Sequence, residues 1–176
     1  MRNNKMSLSL TKLIISAMIG ALYVPLTFLV YPLAFEGLQF RISEALTVVP
    51  FLYPPAAWGL FIGCAISNIW SPFGLTDIIV GSLATLAAGL ITSRMRNKWL
   101  APLPPVLINA VVVGLEIFYF SGEAGIAAFL IPAAQVAAGQ IAACYGLGIP
   151  LLLALQKLKL FDRYAPPQTA DIKKGQ

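Results

Sequence analysis

Between Leu13 and Gln156 this chain carries six charged side chains outside one short basic loop: Glu36, Arg41, Glu44, Asp77, Glu116 and Glu123. That scarcity limits the fold more than any other feature. Soluble domains are about 25% charged and cover themselves with those groups. Here charged residues make up 11% and apolar residues 59% of 176, and mean hydropathy is +0.81. A soluble enzyme, a disordered tail and a disulfide scaffold are excluded, and an all-α integral membrane protein remains. Each spanning helix takes about 20 apolar residues, so about five to seven spans use the whole length. No room is left for a nucleotide-binding domain, and no glycine loop followed by lysine is present to cradle phosphates. Active transport would draw its energy from a partner or an ion gradient. The chain has no histidine, which removes the commonest metal ligand and the easiest proton relay. Cys64 and Cys144 lie in apolar stretches and read as buried inert thiols, not as a disulfide or a metal pair. No metal and no cofactor are expected.

Arg2 and Lys5 precede an apolar run from Leu13 to about Val30. The run is too long for the core of a secretory signal, and no small-x-small cleavage site follows cleanly, so it reads as a retained first helix. That helix is predicted over 10–31, followed by a segment, 32–43, too polar and too short to span. A second helix runs from 44 to 53, short for a full span, and stops at Pro54-Pro55 because proline cannot continue the hydrogen-bond ladder. A third covers 56–70 and a fourth 75–93, followed by the basic loop Arg94–Lys98. A fifth covers 103–120. The sixth lies within 125–156, with Pro132 and Pro150 marking bends. The expected organisation is one six-helix membrane domain over 1–160 and a polar, mobile cytoplasmic tail over 161–176.

The cations orient this bundle. Six helices put both termini, the turn at 54–55 and the basic loop on one side, which then receives eleven of the twelve cations. By the positive-inside rule both ends are cytoplasmic. Five or seven helices would split the basic loop from one terminus. The net charge of +5 is thus a topology signal and not a nucleic-acid footprint.

Arg41 and the acids Glu36, Glu44, Asp77, Glu116 and Glu123 fall on the other side or inside the membrane. Charge within hydrocarbon costs several kcal/mol on insertion scales, so such groups face protein or a cavity. Asn109 stands two turns before Glu116 and on the same helix face. Asn68 and Trp70 end the third helix, Asp77 opens the fourth, Arg41 and Glu44 open the second, and Gln135 and Gln140 interrupt the sixth. Together they suggest a polar site open to the outside. Each residue also has a purely structural reading. The amides Asn109, Gln135 and Gln140 can bond helix to helix, and Arg41 can pair with Glu44 three residues on. Asp77 can cap its helix, and Trp70 and Tyr119 can anchor at the interface. Glu116 is the hardest to explain structurally, since an acid below the surface needs a partner or a ligand. Small residues form two stripes: Ala17 and Ala21 with Gly20 on the first helix, and Gly81, Ala84 and Ala88 on the fourth. The second reads as internal packing, and the first fits packing or a docking face equally.

Several longer stretches resemble the QueT family. They are Gln39-Phe-Arg-Ile-Ser-Glu-Ala-Leu-Thr-Val-Val-Pro50, Gly59-Leu-Phe-Ile-Gly-Cys-Ala-Ile-Ser-Asn68 and Gly81-Ser-Leu-Ala-Thr-Leu86. Leu100-Ala-Pro-Leu-Pro-Pro105, Asn109 and Gly114-Leu-Glu116 extend the likeness, which covers residues 17–120. The family consists of substrate-binding S components of energy-coupling-factor (ECF) transporters for queuosine precursors. The resemblance implies six membrane helices and a 7-deazaguanine ligand captured from outside. It also implies docking on a transmembrane coupling subunit driven by two cytoplasmic ATPases, with Ala17 and Ala21 in the docking stripe. Under it, Glu116 would accept from the base edge, Glu44 or Asp77 would sit near the substituent, and Asn109, Gln135 or Arg41 would meet the ring carbonyl. Trp70 or a tyrosine would stack on the ring, and 33–43 would act as a lid. No catalysis is expected, since no nucleophile–base pair is visible. The alternative is a stand-alone ion-coupled carrier using Glu116 and Asp77.

Overall fold

The computed structural model of the chain describes residues 2–35 and 39–162. Glu36 and the tail beyond Asp162, including Arg163, Lys173 and Lys174, lie outside the described residues, as does the middle of the expected lid.

The described residues are helical, with no strand among them. Helix α1 (Arg2–Phe28) is followed by the short α2 (Tyr31–Phe35) and a 3-10 helix, Ile42–Phe51. Helix α3 (Ala56–Ser67) ends in a 3-10 turn, Asn68–Trp70. A π turn, Asp77–Gly81, leads into α4 (Ser82–Thr92). After α5 (Leu103–Ser121), the chain continues through α6 (Ile126–Gln140), a π segment (Ile141–Gly148) and α7 (Ile149–Lys157). Leu10–Phe28, Lys98–Ser121 and Ile126–Lys157 are each long and apolar enough to cross a membrane, while Ile42–Phe51, Ala56–Trp70 and Asp77–Thr92 are apolar but shorter.

Among the described residues, side-chain contacts mark two ends of the helical bundle. At one end the Tyr53 hydroxyl donates to the Lys12 carbonyl at 2.8 Å and its ring stacks on Phe161. There too the Thr92 hydroxyl donates to Ala101 O, and Ala101 joins Ile149 and Leu152 in one apolar cluster. The basic loop 94–98 and Lys157 belong to this end. At the other end the Tyr31 hydroxyl donates to Trp70 O at 3.0 Å and Phe73 packs on Phe120.

The 3-10 helix is the axis. Residues Ser43 to Phe51 are all buried, which explains a segment too short to face lipid along its length. Its geometry rises about 2.0 Å per residue against about 1.5 Å in an α-helix, so ten residues reach further across the bundle. On one side Leu46 and Val49 pack with Tyr23, Leu60 and Cys64; on the other Val48, Phe51 and Leu52 pack with Ile149 and Leu152. Apolar packing inside a membrane gains from close contact more than from water exclusion, and small residues provide that contact. A Cβ on Gly59 would collide with Ser16 O, and one on Gly20 with Gly59 O, so α1 and α3 touch backbone to backbone. Gly81, Ala84 and Ala88 are buried on the α4 side, which matches the internal-packing reading of that stripe. Cys64 and Cys144 are buried free thiols.

Candidate functional site

The head of the 3-10 helix gathers the polar residues. Arg41 is its extended N-terminal flank, with φ −115° and ψ 116°. This turns the guanidinium across the bundle. Nε donates to Ala34 O at 3.0 Å, Nη1 to Asn68 Oδ1 at 3.0 Å, and Nη2 to Asp77 Oδ2 at 3.4 Å. Asn68 Nδ2 in turn donates to Asp77 O at 2.9 Å and Asp77 Oδ1 at 3.2 Å. The amide thus gives its oxygen to the cation and its nitrogen to the anion, an orientation the network itself selects. The alternative reading, a local pair of Arg41 with Glu44, is not what forms: the ion pair of Arg41 is with Asp77. Asp77 makes no capping bond through its side chain; it faces inward because the π turn that it opens carries it toward Arg41. Gly81 makes this possible, since a Cβ there would collide with Asp77 Oδ1 and come within 3.0 Å of Asn68 Nδ2.

Glu44 lies one turn along the 3-10 helix. Its Oε1 accepts from the Tyr23 hydroxyl at 2.6 Å, and its Oε2 from Asn109 Nδ2 at 3.4 Å. Tyr23, Glu44 and Asn109 are all buried. A cavity of about 10 Å³ lies between the two networks, lined by Gln39, Arg41, Glu44, Asp77, Asn109 and Gln140, together with Gly81, Thr85, Val113 and Val136. That is room for about one water molecule. Two π segments border the cavity, one opened by Asp77 and one starting just after Gln140. Such wider turns recur at functional sites.

Sequence reasoning missed three contributors. Tyr23 reads as one more aromatic in an apolar helix, and Thr85 as a small helix residue. Gln39 is buried with φ 47°, and its only signal was a place in the motif that ends in Glu44. Two expected contributors lie elsewhere. Trp70 is 53% exposed and packs its ring edge-on against Phe28 at 5.1 Å, because the 3-10 turn after α3 swings it to the bundle's rim. Gln135 is exposed while Val136, Gly139 and Gln140 are buried, so helical rotation puts it on the outer face of α6.

Glu116 is 5% exposed, and both of its carboxylate oxygens lack a hydrogen-bond partner, alone among the buried side-chain polar atoms of the described residues. It shares a face of α5 with Asn109 and Val113, which line the cavity.

A second feature lies on the outside of the bundle. Ala17 and Ala21 are exposed and, with Leu13, Trp58, Ile62 and Ile66, line an apolar groove of about 220 Å³ between α1 and α3. Gly20 is buried against α3. The small residues of α1 therefore divide: Gly20 serves internal packing, and the two alanines face outward.

Known proteins resemble the chain along most of this frame. Residues 13–157 match the family described as QueT transporter. A relative from Lactococcus lactis subsp. cremoris (strain MG1363), described as a queuosine precursor transporter QueT, is 40% identical over 72 residues, which cover 40% of this chain and 42% of the relative. The match thus spans about two fifths of that relative's length. No solved structure matches the chain. Both descriptions are of transporters and not of enzymes. With 145 of its 176 residues, positions 13 to 157, inside the family match, the chain belongs to the QueT transporter family.

Proposed function

We propose that the chain is the substrate-binding subunit of an ECF-type importer. It spans the cell membrane six times, with both termini cytoplasmic, and captures a queuosine precursor from outside. The observation that carries this reading is the buried polar cluster around Arg41 and Glu44, which lies toward the end of the bundle opposite the basic loop. By the positive-inside rule that end is external. The ligand class comes from the Lactococcus relative's description. A 7-deazaguanine offers ring N–H groups to carboxylates and a carbonyl to donors such as Asn109, Gln140 or Arg41. Asn68 and Asp77 hold Arg41 in place for that contact.

A cavity of about 10 Å³ is far smaller than the roughly 300 Å³ at which small-molecule pockets begin. Capture therefore requires the elements lining it to separate, and the 3-10 and π segments are the parts least tied by regular α-helical bonding. Delivery follows by docking on a transmembrane coupling subunit served by two cytoplasmic ATPases. The exposed Ala17 and Ala21 in the α1–α3 groove supply the close-approach surface. Uptake of a labelled deazaguanine by cells expressing the chain with and without an ECF module tests the assignment. Uptake only with the module is expected. Uptake without it, lost when the ion gradient is collapsed, would instead identify a stand-alone carrier.

A further inference from the structure

Glu44 and Asp77 line the cavity with Arg41, Glu116 lies on the α5 face of the lining residues Asn109 and Val113, and the three carboxylates are not equivalent. Glu44 has both oxygens engaged, by Tyr23 and Asn109. Asp77 has both engaged as well, by Arg41 and Asn68. Glu116 alone has two free acceptors, although it is 95% buried and shares the α5 face of Asn109 and Val113. A buried acceptor left without a donor is costly, and more so when charged.

We infer that Glu116 is the docking point for a cationic group on the ligand, so that the site selects a solute with a protonated amine over a neutral one built on the same ring. This rests on the deazaguanine reading above and deepens it. It also reverses the assignment expected from sequence, in which Glu116 met the base edge and Glu44 or Asp77 the substituent. The reversal follows from occupancy: those two acids already accept from a protein donor at each oxygen, and Glu116 accepts from none. An amine brings a positive charge and N–H donors to the one buried carboxylate without a hydrogen-bond donor, forming a charge-assisted bond.

The test compares 7-aminomethyl-7-deazaguanine with 7-cyano-7-deazaguanine, which share the ring edge but differ in substituent charge. Purified full-length protein and its Glu116→Gln variant are titrated with each by calorimetry. Unsubstituted protein should bind the amine at least about tenfold more tightly than the nitrile. Glu116→Gln should weaken the amine about ten- to hundredfold and the nitrile less than about threefold. Equal weakening of both probes would place Glu116 on the shared ring edge and overturn the inference, and so would weakening of neither. A thermal melt of the unliganded variant serves as a folding check. Its midpoint should not fall, because the substitution removes an unpartnered charge; a clear fall would reveal an internal partner and also overturn the inference. Failure of both probes to bind the unsubstituted protein is a different result, which removes the deazaguanine reading itself.

Discussion

Helix α1 shows two regions of the molecule side by side. Its inner face, Ser16, Gly20, Tyr23 and Thr27, is buried, and Tyr23 reaches the carboxylate of Glu44. One position on from the first two, Ala17 and Ala21 face outward into an apolar groove. The inner region uses polar groups in a dry setting, where each must be satisfied and each partner is specific. The outer region presents small apolar side chains along an exposed groove. The inner site is therefore fragile to single deletions and the outer groove to added bulk.

Breaking the inner region should have the largest effect on stability. Arg41→Met strands Asp77 and should cost about 3–5 kcal/mol, read as a fall in the thermal midpoint of purified protein. Adding Asp77→Leu should restore most of that stability, because a well-packed apolar pair often replaces a buried ion pair at little cost, while ligand binding stays lost. An unchanged midpoint in the single variant would mean that the ion pair does not hold the head of the 3-10 helix. Closer to the outer region, Gly59→Ala places a Cβ against Ser16 O and should cost about 1–3 kcal/mol through overpacking. A neutral result in the same melt would mean that α1 and α3 can separate without loss. The smallest effect should come from Gln135→Leu, which touches neither region. Its stability should stay within about 0.5 kcal/mol, and its ligand affinity should match the unsubstituted protein in a titration. A large loss of binding there would return Gln135 to the pocket.

Much of this arrangement was legible from residue type alone. Arg41, Glu44, Asn68, Asp77, Asn109 and Gln140 stand out because polar groups in apolar runs need partners; five of them line one cavity, and Asn68 bonds to Arg41 and Asp77 behind it. Burial direction was not legible where every neighbour is apolar. In α6 no amphipathic stripe distinguishes the face of Gln135 from that of Gln140, since lipid and core are equally greasy. Trp70 was ambiguous for the same reason. Nor could hydrophobic pattern reveal that Ile42–Phe51 is a 3-10 helix, or that π turns open at Asp77 and Ile141. Those geometries answer to packing around the axis, not to local propensity. The outward turn of Ala17 and Ala21 beside an inward Gly20 became visible only once α3 was in place.

We propose that binding uses the polar cluster to which Tyr23 is bonded, and docking the exposed alanine face of the same helix. Ala17→Trp tests it directly, through calorimetric titration of the purified variant alongside an uptake assay in cells with the ECF module. Uptake should be abolished while the variant binds the queuosine precursor with unchanged affinity. Loss of binding in the variant would show that the alanine face is part of the bundle's internal packing and not a docking surface.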